Sequence, residues 1–316
     1  MEVKDIFQLR KQGKIEEAYD AIRPMYAAHK GKYTTLAMFW TASDILRKRL
    51  TEKRYDESVK IFEAMLRILP TIADNDHRAH SSVTSAALRL SEEVQGWSML
   101  HFLESYGTEN LTEADWTPPQ PTEGQQGAAV ERKFPLPSTG QRMLTRCFHE
   151  LQREPTADNA LKMTPLLQEA IRRQPRNKHN MRYMAVIYGI MGEKEKAASI
   201  YNDLLRRSHD SWLYAELAEL TEDAGQRAAL LCRAIMSQRQ EKFRAGYHLS
   251  LAKLLVGRDD SRAAHELQRC IAIRQSLGHK STREIDDLSR RLSGVKAATL
   301  ADEQQFYRKM VEKFKV

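Results

Sequence analysis

The chain has 316 residues, of which 41% are hydrophobic and 29% charged, and a formal net charge of +8. That length can bury a sizeable core, the composition is that of a globular chain with much wet surface, and no uninterrupted apolar run is long enough to span a membrane. Three scattered cysteines, Cys147, Cys232 and Cys270, make no CxxC pair. A disulfide framework and a thiolate zinc site are thereby excluded, and the three are read as small core residues.

The opening MEVKDIFQLRKQGK alternates charged and apolar residues. It lacks the apolar centre of a secretory signal, so a cytoplasmic location is expected. Apolar residues at helical spacing then predict helices over 2–12, 14–29, 33–52, 55–69 and 77–106. Residues 117–138 hold five of the ten prolines and no helical period. They form either a linker between two lobes, 1–116 and 139–316, or an ordered loop pinned by Trp116 and Phe134. Beyond them the pattern predicts helices over 139–153, 157–174, 178–191, 194–208, 210–223, 226–239, 241–256, 260–276, 281–293 and 299–314. Pro165 either begins a helix behind Thr164 or kinks the helix that runs through it. Alternation of the strand type is absent.

A repeat underlies these helices. Ala185, Tyr188, Gly192, Ala197 and Tyr201 follow one another at intervals of three, four, five and four residues, and Ile6, Leu9, Gly13, Ala18 and Ile22 repeat the same intervals. A third copy reads Leu46, Arg49, Lys53, Ser58 and Phe62, with lysine in place of the glycine. Glycine can end one helix in a left-handed turn so that the chain folds back, and small residues let the two helices approach closely. Gly225 lies 33 residues after Gly192, and Arg258 another 33 beyond, flanked by Leu251, Leu254, Ala263 and Leu267.

Helical hairpins of about 34 residues are what tetratricopeptide repeats look like, and the sequence resembles that family at Ala185, Tyr188, Gly192, Ala197 and Tyr201. The resemblance implies an all-α fold, an α-α superhelix of helical hairpins that is irregular in its middle third. It also implies a non-catalytic scaffold that binds a protein or peptide partner. A narrower resemblance links SWLYAELAEL, LLCRAIMSQRQEKFRAGYHLSLAKLL and AAHELQRCIAIRQSLGH to the helical amino-terminal region of bacterial proteins associated with TOTE conflict systems. It implies a short member of that group or the front part of a longer protein, and it carries no functional residue across.

The candidate partner surface is the basic run Arg172, Arg173, Arg176, Lys178 and Arg182, joined by Arg206 and Arg207. Guanidinium groups grip carboxylates or phosphates through paired hydrogen bonds. The alternative is that these cations simply close helix ends against the helix dipole. From Glu241 to Val316 there are 16 Lys and Arg against 10 Asp and Glu, so a nucleic-acid-associated role is the runner-up. Trp40, Trp97, Trp116 and Trp212 are expected to pack between helices. Asp74, Asp76, His77 and His80 have the composition of a metal cluster, but Asp76 suits an N-cap equally, and no metal or cofactor is expected. No GxxxxGK[ST], GxGxxG, HExxH or GxSxG motif occurs, and the His101–Glu104 pair has no third member, so no enzyme is expected. The oligomeric state is not specified by any of these features.

Overall fold

A computed structural model describes residues 1–72, 77–119 and 136–316. The protein is all-α, with no strand among the described residues, and it divides into two compact units, Met1–Pro175 and Arg176–Val316. The first unit contains α1 (Val3–Lys11), α2 (Ile15–Ala28), α3 (Lys32–Thr51), α4 (Tyr55–Ile68), α5 (His77–Glu93), α6 (Met99–Tyr106), α7 (Glu113–Trp116), α8 (Thr139–Arg153) and α9 (Ala157–Arg173). The second contains α10 (Lys178–Ile190), α11 (Lys194–Leu205), α12 (Ser211–Leu220), α13 (Ala224–Ser237), α14 (Ala245–Leu255), α15 (Asp260–Ser276), α16 (Arg283–Arg291) and α17 (Leu300–Phe314).

Tetratricopeptide-like hairpins build both units. α1 packs on α2, α3 on α4, α10 on α11, α12 on α13 and α14 on α15, and successive hairpins pack against one another. The turns obey one rule. Gly13, Lys53 and Gly192 have φ of 75°, 60° and 80°, and the next residue's N–H reaches back to Leu9, Arg49 and Tyr188 carbonyls at 3.0, 2.8 and 2.9 Å. This left-handed cap satisfies carbonyls the helix end would otherwise leave bare. After each turn a small side chain, Ala18, Ser58 or Ala197, is wholly buried, as is Ala185 on the preceding helix. Ile22, Phe62 and Tyr201 are buried one helical turn later, while Tyr188 is half-buried with the Lys196 ammonium 5.6 Å from its ring. Lys53 adopts the left-handed turn that glycine fills elsewhere, at a steric cost of about 1 kcal/mol. Lys53→Gly is therefore expected to raise stability by roughly 0.5–1 kcal/mol. Urea unfolding checks this, and a loss would mean that the lysine side chain stabilises the turn by more than its strain.

Several expectations need correction. Residues 77–106 are two helices, because Gly96 turns left-handed at φ 82° and Ser98 caps α6, accepting from the His101 N–H at 3.1 Å. Gly225 is not a turn residue but lies in the first turn of α13, where an added Cβ would stand 2.2 Å from the Phe314 ring. It is glycine for close approach. The left-handed residue of the following hairpin is Gly257, at φ 76°, one position before Arg258. α9 runs through Pro165, and its cap is Thr156, accepting from Asn159 N–H at 3.2 Å.

The division of the chain falls at Pro175, and α8 and α9 pack within the first unit, against α5, α6 and α7. Met143, Leu144, Cys147, Phe148 and Leu151 along one face of α8 are buried there, and Glu150 accepts from Ser98 Oγ, Met99 N and Leu100 N at 2.7, 2.8 and 3.2 Å. Most of the proline-rich segment, with Phe134, lies outside the described residues, as do Asp74 and Asp76. Trp116 at its near end is half-buried and rests against Gly140, where an added Cβ would come within 2.8 Å of the indole. In the second unit Leu213, Leu231, Leu251, Leu267 and Tyr307 belong to one core, on which Met181, Trp212 and Phe306 also pack. All three cysteines are buried free thiols.

Candidate functional site

The basic run is divided between the units, and most of it is already ion-paired. In the first unit, Arg172 donates to Glu169 at 2.7 and 2.6 Å. Arg173 donates to Glu113 at 2.7 and 2.6 Å and to Glu169 at 2.6 Å, with its guanidinium 5.1 Å from the Trp116 ring. Arg172 beside Glu169 holds that carboxyl down to about 2. In the second unit, Lys178 pairs with Asp210 at 2.5 Å and Arg206 with Asp203 at 3.0 Å. Arg182 donates to Glu216 at 2.8 Å through Nε and lies 5.1 Å from the Trp212 ring, while the Tyr201 hydroxyl donates to the same Glu216 at 3.0 Å. That triad joins α10, α11 and α12. Arg176 and Arg207 are exposed. The carboxylates that engage Arg173, Lys178 and Arg182 lie tens of residues away in sequence, which is why a basic run read alone appears unspent.

A groove of about 580 Å³ in the first unit is built differently. Its walls are α3 and α5, locked together where Ser43 Oγ meets Ser82 Oγ at 2.8 Å. Trp40, Leu46 and Leu50 on α3 and Ala86 on α5 supply apolar lining, and Arg47, Arg78 and Arg89 stand beside them. No carboxylate is among the described lining residues. On α3, residues 40, 43, 47 and 50 share a face, as do 78, 82, 85 and 89 on α5, so helical periodicity alone aligns each wall. Trp40 is half-buried and set edge-on to Phe39, with ring centroids 5.2 Å apart and planes at 87°.

Arg47 and Arg89 can be recruited at little cost. Arg47 contacts Asp44 on its own helix, but Asp44 is also held by Arg10 Nε at 2.7 Å, so Arg47 can turn toward a ligand without stranding the carboxylate. Arg89 donates to Glu93 at 3.2 and 3.0 Å, a half-buried pair one helical turn apart on the same helix. Such pairs are worth only about 0.3–0.5 kcal/mol. A carboxylate delivered beside an apolar surface offers more, because desolvation strengthens the charge-assisted bonds.

A second groove, about 780 Å³, lies between the α5–α6 turn and α8, lined by Glu92, Glu93, Arg146, His149, Arg153 and Glu154 among others. Charges of both signs meet there, and its Glu150 is fully engaged in capping α6. His101 and Glu104 are 3.6 Å apart at the surface, where Glu104 also meets Lys162 at 3.2 Å. His80 Nδ1 lies 2.7 Å from the Tyr106 hydroxyl, and no group of three or more His, Cys, Asp or Glu among the described residues could hold a metal ion.

Residues 181–313 match a domain of unknown function (DUF7017). That segment runs from α10 into α17 and lies wholly in the second unit, so the groove of the first unit is outside it. No curated protein matches the chain. Among solved structures, the chain is similar to the "TPR2AB-domain:pHSP90-complex of yeast Sti1", with 12% identity, a TM-score of 0.34, and 92% of this chain and 96% of that chain covered.

Proposed function

We propose that the protein is a non-catalytic helical-repeat scaffold that holds a protein partner, and that the α3–α5 groove is its binding surface for an acidic segment carrying an apolar or aromatic anchor. The supporting observation is the pairing of an apolar lining with Arg47 and Arg89, in a groove with no carboxylate among its described lining residues. Stacked hairpins present such grooves as extended surfaces, which suits a peptide better than a small substrate. The groove is favoured over the basic run because Glu113, Asp210 and Glu216, distant in sequence, hold Arg173, Lys178 and Arg182, whereas Arg47 and Arg89 pair with carboxylates one turn away on their own helices. A bacterial conflict system is the context suggested by the resemblance of the second unit's helices, and a cytoplasmic setting is suggested by the charged amino-terminal stretch. No helix among the described residues is long and apolar enough to cross a membrane.

Peptide-array binding at physiological salt tests the reading. Acidic peptides with a Leu, Phe or Trp anchor should be retained and basic ones not. Trp40→Ala, or Arg47→Glu with Arg89→Glu, should weaken retention roughly tenfold to a hundredfold, the equivalent of losing one or two charge-assisted contacts. Equal retention of acidic and basic peptides, or binding indifferent to both variants, would remove the groove from consideration. The runner-up, an RNA- or DNA-associated accessory protein, is favoured by the net charge of +8. It requires oligonucleotide affinity that collapses between about 50 and 200 mM salt as counterions are released, whereas a partly apolar groove responds mildly.

A further inference from the structure

One face of α15 is given over to gripping the chain that follows α16. Ser261 Oγ donates to the Lys296 carbonyl at 2.8 Å, and the Ser261 carbonyl accepts from Ala298 N–H at 3.0 Å. Arg262 donates to the Asp302 carbonyl at 3.2 Å and lies 4.7 Å from the Phe306 ring. His265 meets the Ala298 carbonyl through Nδ1 at 2.9 Å and the Glu303 carboxyl through Nε2 at 2.7 Å, with Arg269 Nε 3.4 Å from the same carboxyl. Glu266 accepts from the Tyr307 hydroxyl at 2.9 Å and contacts His248 Nδ1 of α14 at 2.7 Å. His265 and Glu303 are each only 5% exposed, and Glu266, His248 and Tyr307 are wholly buried.

The two histidines differ in what they require. His248 uses one ring nitrogen, and its Nε2 is buried without a hydrogen-bond partner, so a neutral ring with its proton on Nδ1 suffices. His265 faces an acceptor on both sides. A backbone carbonyl cannot donate and neither can an ionised Glu303, while a neutral imidazole has only one N–H, so with Glu303 ionised both bonds form together only in the imidazolium. Burial denies water the chance to replace the lost bond.

We propose that α17 is a proton-operated clasp on the second unit, closed while His265 is an imidazolium bridging Ala298 and Glu303 and loosened when that proton leaves. The charged and titratable groups around it agree. Glu303 and Asp302 come from α17, Arg262, Glu266 and Arg269 from α15, and His248 from α14, while Glu241 meets Arg269 from outside at 3.1 Å. Hydrogen bonding to Glu303 raises the His265 pKa above its ordinary 6.5 against the opposing effect of burial, and the same bond lowers Glu303 below 4.5. A raised histidine stabilises fully below about 6.5, and its contribution is lost as pH climbs through the raised value. A lowered carboxyl stabilises above about 4.5, and its contribution is lost as pH falls through the lowered value. The clasp is therefore closed at mildly acidic pH and opens as pH climbs through the raised His265 value. Opening frees the apolar strip Phe306, Tyr307, Met310 and Val311, which in the closed state packs on the core.

Hydrogen exchange on the full chain, corrected for intrinsic rates, tests this between pH 6 and 9. Protection of residues 300–314 should fall by up to about tenfold per pH unit above the His265 midpoint, the limit for one linked proton. The ring of His265, followed by NMR, should titrate with the same midpoint. His265→Gln should lower protection at pH 6 and flatten its pH dependence, and His265→Arg, whose charge is permanent, should hold protection across the range. Wild-type protection that does not change with pH, an α17 midpoint displaced from that of His265, or a His265→Gln profile parallel to wild type would each overturn the proposal. The wild-type measurements alone decide the matter if neither variant folds.

Discussion

Glu266→Ala should destabilise the second unit by about 3–5 kcal/mol, because it strips a wholly buried acceptor from two polar groups and leaves a cavity behind. The Tyr307 hydroxyl donates to both Glu266 oxygens at 2.9 Å, and His248 Nδ1 lies 2.7 Å away. All three side chains are buried to 0% exposure, so no water restores what the carboxyl supplied. Burial also pushes the Tyr307 phenol far above its ordinary value, which keeps it a donor at any pH the fold survives. Glu266→Gln retains an acceptor oxygen and the volume and should cost less, about 1–3 kcal/mol, while Tyr307→Phe removes one hydroxyl and should cost about 1.5–3 kcal/mol. Guanidinium unfolding of the three variants ranks them. A loss below about 1 kcal/mol for Glu266→Ala would mean that the cluster contributes little to holding α17 in place.

Arg49→Met should cost the first unit about 2 kcal/mol and remove part of its sensitivity to acid. Arg49, 9% exposed on α3, donates through Nη1 and Nη2 to Glu16 of α2 at 2.5 and 2.7 Å. It also donates to Glu57 of α4 at 2.9 Å and to Glu52 at the end of its own helix at 2.9 Å. One guanidinium thus fixes three consecutive helices. The Arg49 hydrogen bond brings the Glu16 carboxyl down from 4.5 to about 2. A lowered carboxyl stabilises fully above about 4.5, and its contribution drains away as pH falls toward about 2. Stability measured from pH 5 to pH 2 should therefore drop more steeply in wild type than in Arg49→Met. The glutamates are about 40% exposed and rehydrate once the arginine is gone, which keeps the cost below that of stranding a buried charge. Parallel acid profiles would assign the drop to other carboxyls.

Arg49 also shows how far the sequence could be read. It was legible as the fourth-from-turn member of a degenerate repeat, three residues after Leu46 and four before Lys53, and the hairpin it belongs to forms where that spacing placed it. Its role as a bridge was not legible, since Glu16 lies 33 residues away and nothing local marks the pair. Gly225 makes the same point from the other side. Its distance of 33 residues from Gly192 suggested a turn, but its lack of a side chain answers to Phe314, far along the chain. Trp40 was legible only as a residue that packs between helices, and Arg47 and Arg89 carried no signal, because an arginine on a helix surface is the commonplace case and a groove exists only once α3 and α5 are laid side by side.

The sequence by itself determined the helices, the left-handed bends at Gly13 and Gly192, and the small residues Ala18, Ser58, Ala185 and Ala197 at which paired helices touch. Those features follow from hydrogen bonds and sterics spanning a few residues, which the order of the letters states directly. Only the tertiary structure decided which cations are neutralised within the chain, which arginines border an apolar groove, and which histidine needs two acceptors. Coulomb attraction and desolvation depend on distance in space, and partners 30 to 60 positions apart become neighbours only when the helices have been stacked.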